Sequence, residues 1–241
     1  MLSILVCVKQ VPDVDQMKMD PETGTLVRTG VPAILNPLDA NALSAAMAVK
    51  ETWGGEITLI TMGPPNAEAV LRECLAVGAD KAILVTDRAF GNADTLATSY
   101  SIASAAKLHG SYDLIFCGKQ AIDGDTAQVG PELSQHLDRA LLTYALEAQV
   151  EGDTVKIRRE SDEGYDWYAA QMPAVITVNK TSYDLRYPSL KGKMAARKAT
   201  IPTLTAAEVV VPEEKRGLKG SPTKVKKTFT PVRTKNGLRL E

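Results

Sequence analysis

Apolar residues recur along this chain in two alternating rhythms. Continuous β-rich runs occupy Leu2 to Val8, Ile57 to Thr61, Ala82 to Thr86 and Leu114 to Cys117, and longer stretches with apolar residues three and four apart separate them. A run that is apolar on both sides must be covered on both sides, which is the signature of a parallel sheet packed between helices. The pattern predicts an α/β fold with a doubly wound, mostly parallel, Rossmann-like sheet. The first helix is expected near Asn36-Pro37-Leu38-Asp39, with Asn36 as cap, Pro37 in the first turn and Asp39 at the positive dipole end. It runs through Leu43, Ala46 and Met47 toward Trp53, where Gly54-Gly55 stops it. A second helix follows Met62-Gly63-Pro64-Pro65 and ends before Gly78, and a third spans roughly 93–109.

After a fourth helix the rhythm shortens. Thr143 to Val150, Thr154 to Arg159 and Tyr165 to Gln171 read as strands joined by turns at Gly152-Asp153 and Glu163-Gly164, an antiparallel excursion. Met172-Pro173-Ala174-Val175-Ile176-Thr177-Val178 reads as a return to the buried sheet. Beyond Asp184, prolines and lysines accumulate with little helical pattern, as in an extended arm. The division expected is a nucleotide-binding domain over 1–185 and a basic arm over 186–241, with no internal repeat.

The segment that directly follows the fourth strand carries the most chemistry. A strand delivers Gly118 to Glu132 and a helix receives it, the place where an open parallel sheet holds a nucleotide's charged groups. Gly118, Gly124 and Gly130 permit sharp turns or close approach, Lys119 supplies charge, and Gln120 and Gln128 supply amide groups. Asp125 and Gln128 have capping-box spacing, while Pro131 suits a first helical position, so two helix starts fit. An ordinary capped turn would use the same residue types. Three other segments also follow predicted strands: Cys7 to Gln10, Asn36 to Asp39 beyond the next loop, and Met62 to Pro64. Taken singly, Lys9 is a surface charge, Asn36 a cap and Gly63 a turn glycine, but together they line one rim.

Composition narrows the class further. With 241 residues and 44% hydrophobic content, the chain can bury one substantial core plus an appendage. No apolar run of membrane-spanning length occurs, and the start at Leu2 to Val8 shows no basic leader, so a cytoplasmic protein is expected. Cys7, Cys74 and Cys117 are widely spaced in apolar surroundings, and only His109 and His136 supply imidazoles, which argues against a disulfide framework or metal centre. Residues 1–185 carry 14 Lys and Arg against 25 Asp and Glu, whereas 186–241 carry 14 against 4. An acidic body therefore bears a basic arm. The arm lacks interleaved aromatics and any nucleic-acid reading motif, so no nucleic-acid partner is expected.

Val8-Lys9-Gln10-Val11-Pro12-Asp13, Asn36-Pro37-Leu38-Asp39, the whole Gly118 to Pro131 segment, and Val155 to Val178 with Arg158-Arg159-Glu160 and Met172-Pro173-Ala174-Val175 resemble the β subunit of electron transfer flavoproteins. The resemblance covers nearly the entire chain. It implies an adenine-nucleotide site made of Cys7, Val8 and Lys9, of Asn36, Pro37, Leu38 and Asp39, of Met62 and Gly63, and of the loop Gly118, Lys119, Gln120, Ala121, Ile122, Asp123, Gly124, Asp125, Thr126, Ala127, Gln128 and Val129. Conventional members keep AMP there, whereas electron-bifurcating bacterial members hold FAD and present it to NADH. Gly124 to Pro131, Thr61 to Pro65, Glu68 and Leu71-Arg72 resemble the bifurcating pattern.

On that resemblance Asp125, Thr126, Gln128 and Val129, with the Gly124 backbone, meet the diphosphate and ribityl groups. Asn36 and Asp39 sit nearer the adenosine, and Gly63 and Pro64 border the NADH approach. The absence of a catalytic His or Cys constellation is then expected, because the cofactor carries the chemistry. The implied partners are an α subunit, embraced by the arm, and ferredoxin or flavodoxin. An acyl-CoA or related dehydrogenase would be met by the loop Tyr187 to Lys198 through Leu190. Lys191 replaces the familiar loop proline and Lys193 a usual apolar residue, so an altered dehydrogenase partner is implied. A universal-stress-type ATP-binding regulator would share the sheet and rim, but its glycine-x-x-glycine signature near the fourth strand is missing.

Overall fold

The computed structural model describes residues 1–13, 18–19, 26–27, 31–181, 183 and 186–226. In chain order its elements are β1 Leu2–Cys7, β2 Gln10–Pro12, β3 Lys18–Met19, β4 Leu26–Val27, β5 Ala33–Leu35, α1 Pro37–Trp53, β6 Gly55–Met62, α2 Glu68–Val77 and β7 Lys81–Val85. There follow α3 Thr95–His109, β8 Leu114–Gly118, α4 Val129–Leu137, β9 Ala140–Glu151, β10 Thr154–Ser161, β11 Gly164–Gln171, β12 Ala174–Val178, α5 Leu190–Lys198 and β13 Thr203–Leu204. Nine strands form one sheet in the order β11-β10-β9-β12-β8-β1-β6-β7-β13. From β1 the chain moves outward one way through β6 and β7, and then the other way through β8 and β12. The strand order therefore reverses between β1 and β8, where Cys7 lies in register with Cys117. In an open α/β sheet the loops part at such a point and leave a crevice.

Alternation along the strands sends side chains to two cores. Ile4, Val6 and Val8 pack on one face with Leu43 and Ala46 of α1 and Val70 and Leu71 of α2. Leu5 and Cys7 pack on the other with Ile102 of α3 and Leu133 and Leu137 of α4. This is the covering on both faces that the continuous apolar runs require.

The antiparallel excursion extends the same sheet. The first part of β9 pairs parallel with β12 from Ala140 to Ala145, and the rest pairs antiparallel with β10. β9 thus begins three residues before the expected Thr143, because its first residues carry on the parallel sheet. Register shifts flank the changeover, where Tyr144 adopts φ 62 and its N–H donates to Thr177 Oγ1 at 3.0 Å. The predicted turns at 152–153 and 163–164 fall between strands, with Gly152 and Gly164 at positive φ.

Beyond 186 the structure departs from the extended arm expected there by forming α5. Ser189 caps it by accepting from Gly192 N at 3.0 Å, and Arg72 Nη1 donates to the carbonyls of Ala196 and Ala199 at its other end. Only Ala196 of this helix is buried, so tertiary capping stabilises it without an apolar stripe. Further along, β13 adds an edge strand beside β7, and Val209 and Val211 enter the core on the α3 side. Among the described residues no helix is long and apolar enough to cross a membrane.

The first turn of α4 lies tight against the sheet. A Cβ at Gly130 would stand 2.5 Å from Thr177 Cγ2 and 2.9 Å from Cys117 Sγ, whereas one at Gly124 would meet open space. Gly130→Ala is expected to cost about 1–3 kcal/mol of stability through overpacking. Gly124→Ala, measured in the same urea titration, should stay within roughly 0.5 kcal/mol of the parent. Equal effects would contradict this packing.

Candidate functional site

The loops after β1, β6, β7 and β8 enclose a cavity of about 990 Å³ at the carboxyl edge of the sheet. Its walls include Cys7, Val8 and Lys9, Asp39, Met62 and Gly63, and the loop segments 118–121 and 124–129. Of the residues predicted for the site, Asn36, Pro37, Leu38, Ile122 and Asp123 lie outside the lining. Asn36 and Asp123 still bear on the rim through their hydrogen bonds.

That shaping centres on the start of α1. The Asp39 carboxylate accepts from Lys9 N at 2.8 Å and from Gly118 N at 3.0 Å, tying together the ends of β1 and β8 where they diverge. Asn36, with no exposed surface, donates from Nδ2 to Gln120 O at 2.9 Å and accepts at Oδ1 from Ile122 N at 3.2 Å. Both side chains, expected nearer the adenosine, are thus engaged with the protein backbone. Gly118 is the residue that allows this closeness, since a Cβ there would stand 2.5 Å from Asp39 Oδ1. At the opening, Lys9 Nζ pairs with Asp123 at 2.7 Å and clasps the long loop to β1.

The loop itself is held by side chains. Gln120 Nε2 donates to Asp125 Oδ1, and Thr95 Oγ1 lies 3.0 Å from Gln128 Oε1. These engagements overturn both expected helix starts. α4 begins at Val129, Gln128 takes the cap position without a side-chain cap bond, and Pro131 falls in the first turn. Because Asp125 and Gln128 bond elsewhere, no capping box forms. Turning is done by Asp125 at φ 55 and Ala127 at φ 54, with Gly124 absent from the positive-φ residues. A left-handed non-glycine residue costs about 1–3 kcal/mol, so the loop carries strain. Ala127 precedes Gln128 at φ −100, ψ −34, and such alternation points successive N–H groups toward one concavity suited to an anion.

Burial disfavours the thiolate at both cysteines of the cavity wall. Burial, with the Asp39 charge adding to it, pushes Cys7 up to about 12, and burial also raises Cys117 well above its usual range. Burial likewise lifts Asp39 from 3.8 to about 7, against the hydrogen bonds from Asn36, Gly118 and Lys9. Among the described residues no group of three or more His, Cys, Asp or Glu is placed to hold a metal.

One wall escaped the sequence reading. The turn after β7 contributes Thr86 to Arg88 and Phe90 to Asp94, the start of α3 adds Thr95 and Thr98, and the arm returns to contribute Thr223. The signal was available, because β7 ends at Val85 like the other parallel strands, and Asp87 caps the short turn that follows while Asp94 caps α3. Thr223 offered none. It reaches the cavity because Asp94 Oδ2 accepts from its N at 2.9 Å and its Oγ1 at 2.8 Å. On another side, Lys119 Nζ sits 5.0 Å from the centre of the Tyr144 ring, beside a smaller cleft of about 290 Å³ lined also by Glu160 and Asn179.

A reversed-order parallel sheet, a cavity at the reversal and a loop that turns left-handed at Asp125 and Ala127 along its wall define a nucleotide-binding α/β protein. The family model of the electron transfer flavoprotein domain matches residues 23–209, and the chain belongs to that family, in its β-subunit branch. It is 49% identical over 247 residues to the electron transfer flavoprotein subunit beta of Megasphaera elsdenii, covering 100% of this chain and 92% of that one. It is 46% identical over 231 residues to the caffeyl-CoA reductase-Etf complex subunit CarD of Acetobacterium woodii, covering 95% and 88%. To protein FixA of Bradyrhizobium diazoefficiens it is 44% identical over 235 residues, covering 94% and 82%.

Asp39→Asn would turn an amide N–H toward one of the two backbone donors and should destabilise the chain by about 1–3 kcal/mol at neutral pH. The raised folded pKa means that the native state holds a proton the unfolded chain releases between pH 3.8 and about 7. The stability Asp39 contributes is therefore full below pH 3.8 and is lost as pH rises through about 7. Denaturant unfolding across that window should show this slope in the parent and lose it in the variant. The same slope in both would assign it to another group.

Proposed function

We propose that the cavity holds FAD in its extended form, and that the chain works with an α subunit as the NADH-oxidising half of an electron-bifurcating flavoprotein. The observation that carries this reading is the reach of the cavity. It continues from the β8 loop past β1 to Met62-Gly63-Pro64-Pro65 and the turn after β7, beyond what an adenylate seated at the β8 loop occupies. Backbone N–H groups of 126–128 meet the diphosphate, with the Thr126 hydroxyl beside them, while the N–H groups of Gly124 and Asp125 close the loop on Ala121 O at 3.3 and 2.8 Å. The Lys9–Asp123 clasp and the Asn36 bonds hold that loop against β1. When bound, the flavin supplies hydride acceptance from nicotinamide and release of two electrons along separate routes. The protein's part is to orient it and to keep buried thiols protonated and inert beneath it.

One route leads to ferredoxin or flavodoxin, and the other through the α-subunit FAD to an acyl-CoA or related dehydrogenase. For the dehydrogenase, α5 offers Leu190 at 77% exposure and Met194 at 54%, one helical turn apart. Lys191, Lys193, Arg197 and Lys198 surround them with no acid on the helix, which favours an acidic partner surface. The name of the Acetobacterium relative, which places it in a CoA-thioester reductase complex, supports this choice of partner class. Three buried free cysteines suit a reducing, cytoplasmic setting.

Purified with its α partner, the complex should contain two FAD per αβ unit and no AMP. One FAD plus AMP would rule bifurcation out. Leu190→Ala should lower electron delivery to the dehydrogenase on the order of tenfold with flavin content intact. Undiminished delivery would remove Leu190 from the docking surface.

A further inference from the structure

Charges on the cavity wall are matched almost everywhere. Asp39 is engaged with Lys9 N and Gly118 N, and Asp125 with Gln120. Asp87 accepts from Ala89 N at 2.9 Å and Ala206 N at 3.1 Å, and Asp94 accepts from Ala97 N and from Thr223. Lys9 is paired with Asp123, and Lys119 rests over the Tyr144 ring. Arg88 remains. Among the described lining residues it is the one charged side chain with no hydrogen bond, ion pair or ring contact.

Its mounting is firm although its side chain is exposed. Arg88 opens a short 3-10 turn whose third residue, Phe90, is buried, and Asp87 caps that turn. The arm braces the turn from outside. Gly217, at φ 55, approaches so closely that a Cβ would stand 2.3 Å from Ala89 O, and Ala206 N donates to Asp87. Ser221 Oγ accepts from Asp94 N at 2.8 Å at the next corner. A guanidinium carried on such a base loses little backbone freedom when it binds.

Its place in the rim separates it from the loop after β8. Neighbouring strands stand about 4.8 Å apart, so the ends of β8 and β7, three strand steps distant, are on the order of 14 Å from each other. A diphosphate seated on the N–H groups of 126–128 is too compact to meet both. An anion held by Arg88 would therefore be a different one from that at the loop after β8.

We propose that Arg88 binds the diphosphate of the nicotinamide dinucleotide, making the turn after β7 the anion anchor for the electron donor. This rests on the reading that the cavity holds FAD reduced by NADH. A guanidinium fork matches two phosphate oxygens at once, which a lysine ammonium does not.

The test uses the αβ complex with its flavins in place and ADP-ribose as a probe that carries the diphosphate without redox chemistry. In calorimetric titration, Arg88→Gln should weaken ADP-ribose binding on the order of 10–100-fold, the loss of a charge-assisted contact. Arg88→Lys should fall between parent and Gln variant. Flavin content and visible spectrum should match the parent in both, which also verifies folding. The parent's affinity should fall with added salt more steeply than that of Arg88→Gln. Parental affinity in Arg88→Gln with two flavins present would overturn this inference and leave the functional reading standing. A parent complex holding AMP in place of the second FAD would sink the functional reading and this inference with it.

Discussion

A single buried carboxylate holds the two halves of the sheet together at the point where they part. Asp39 receives one backbone N–H from the end of β1 and another from the end of β8. Past Cys7 and Cys117 these two strands no longer pair with each other, and leaving the two donors unpaired in the interior would cost about 1–3 kcal/mol each. The carboxylate stands in the first turn of α1, where the helix dipole favours negative charge, yet burial still raises its affinity for a proton. The arrangement also dictates two neighbours. Gly118 must lack a Cβ, and Asn36 must turn its amide outward to the β8 loop. The rim of the cavity follows from these contacts before any ligand arrives.

The β8 loop was legible in sequence because its constraints are local. An apolar strand, a glycine cluster and a helical pattern occur in that order within Leu114 to Leu137. What each glycine does was not legible. Gly118 and Gly130 are required by contacts with Asp39 and Thr177, distant in sequence, whereas the left-handed turns fall on Asp125 and Ala127. Likewise the spacing of Asp125 and Gln128 suggested a cap, but Gln120 and Thr95 engage them first. Tertiary partners overrode a local preference at each of these positions.

α5 was hidden for a related reason. Its residues show no apolar stripe, and its ends are closed by Ser189 within the segment and by Arg72 from α2. A Cβ at Gly192 would stand 2.2 Å from Ala76 O, so this helix lies hard against α2. α2 in turn follows the loop Met62 to Pro65 that walls the cavity. The arm beyond α5 clasps the turn after β7 at Asp87, Ala89 and Asp94. Segments read from sequence as a partner-binding extension thus also brace and wall the cavity.

On the function proposed above, the reversal between β1 and β8 seats the diphosphate of a bound dinucleotide on the backbone N–H groups of 126–128. Electron density for the flavin-loaded αβ complex tests it most directly. Phosphate oxygens are expected within hydrogen-bonding distance of those N–H groups, with the flavin extending toward Met62. A nucleotide bound elsewhere, with the loop after β8 facing only solvent, would contradict it.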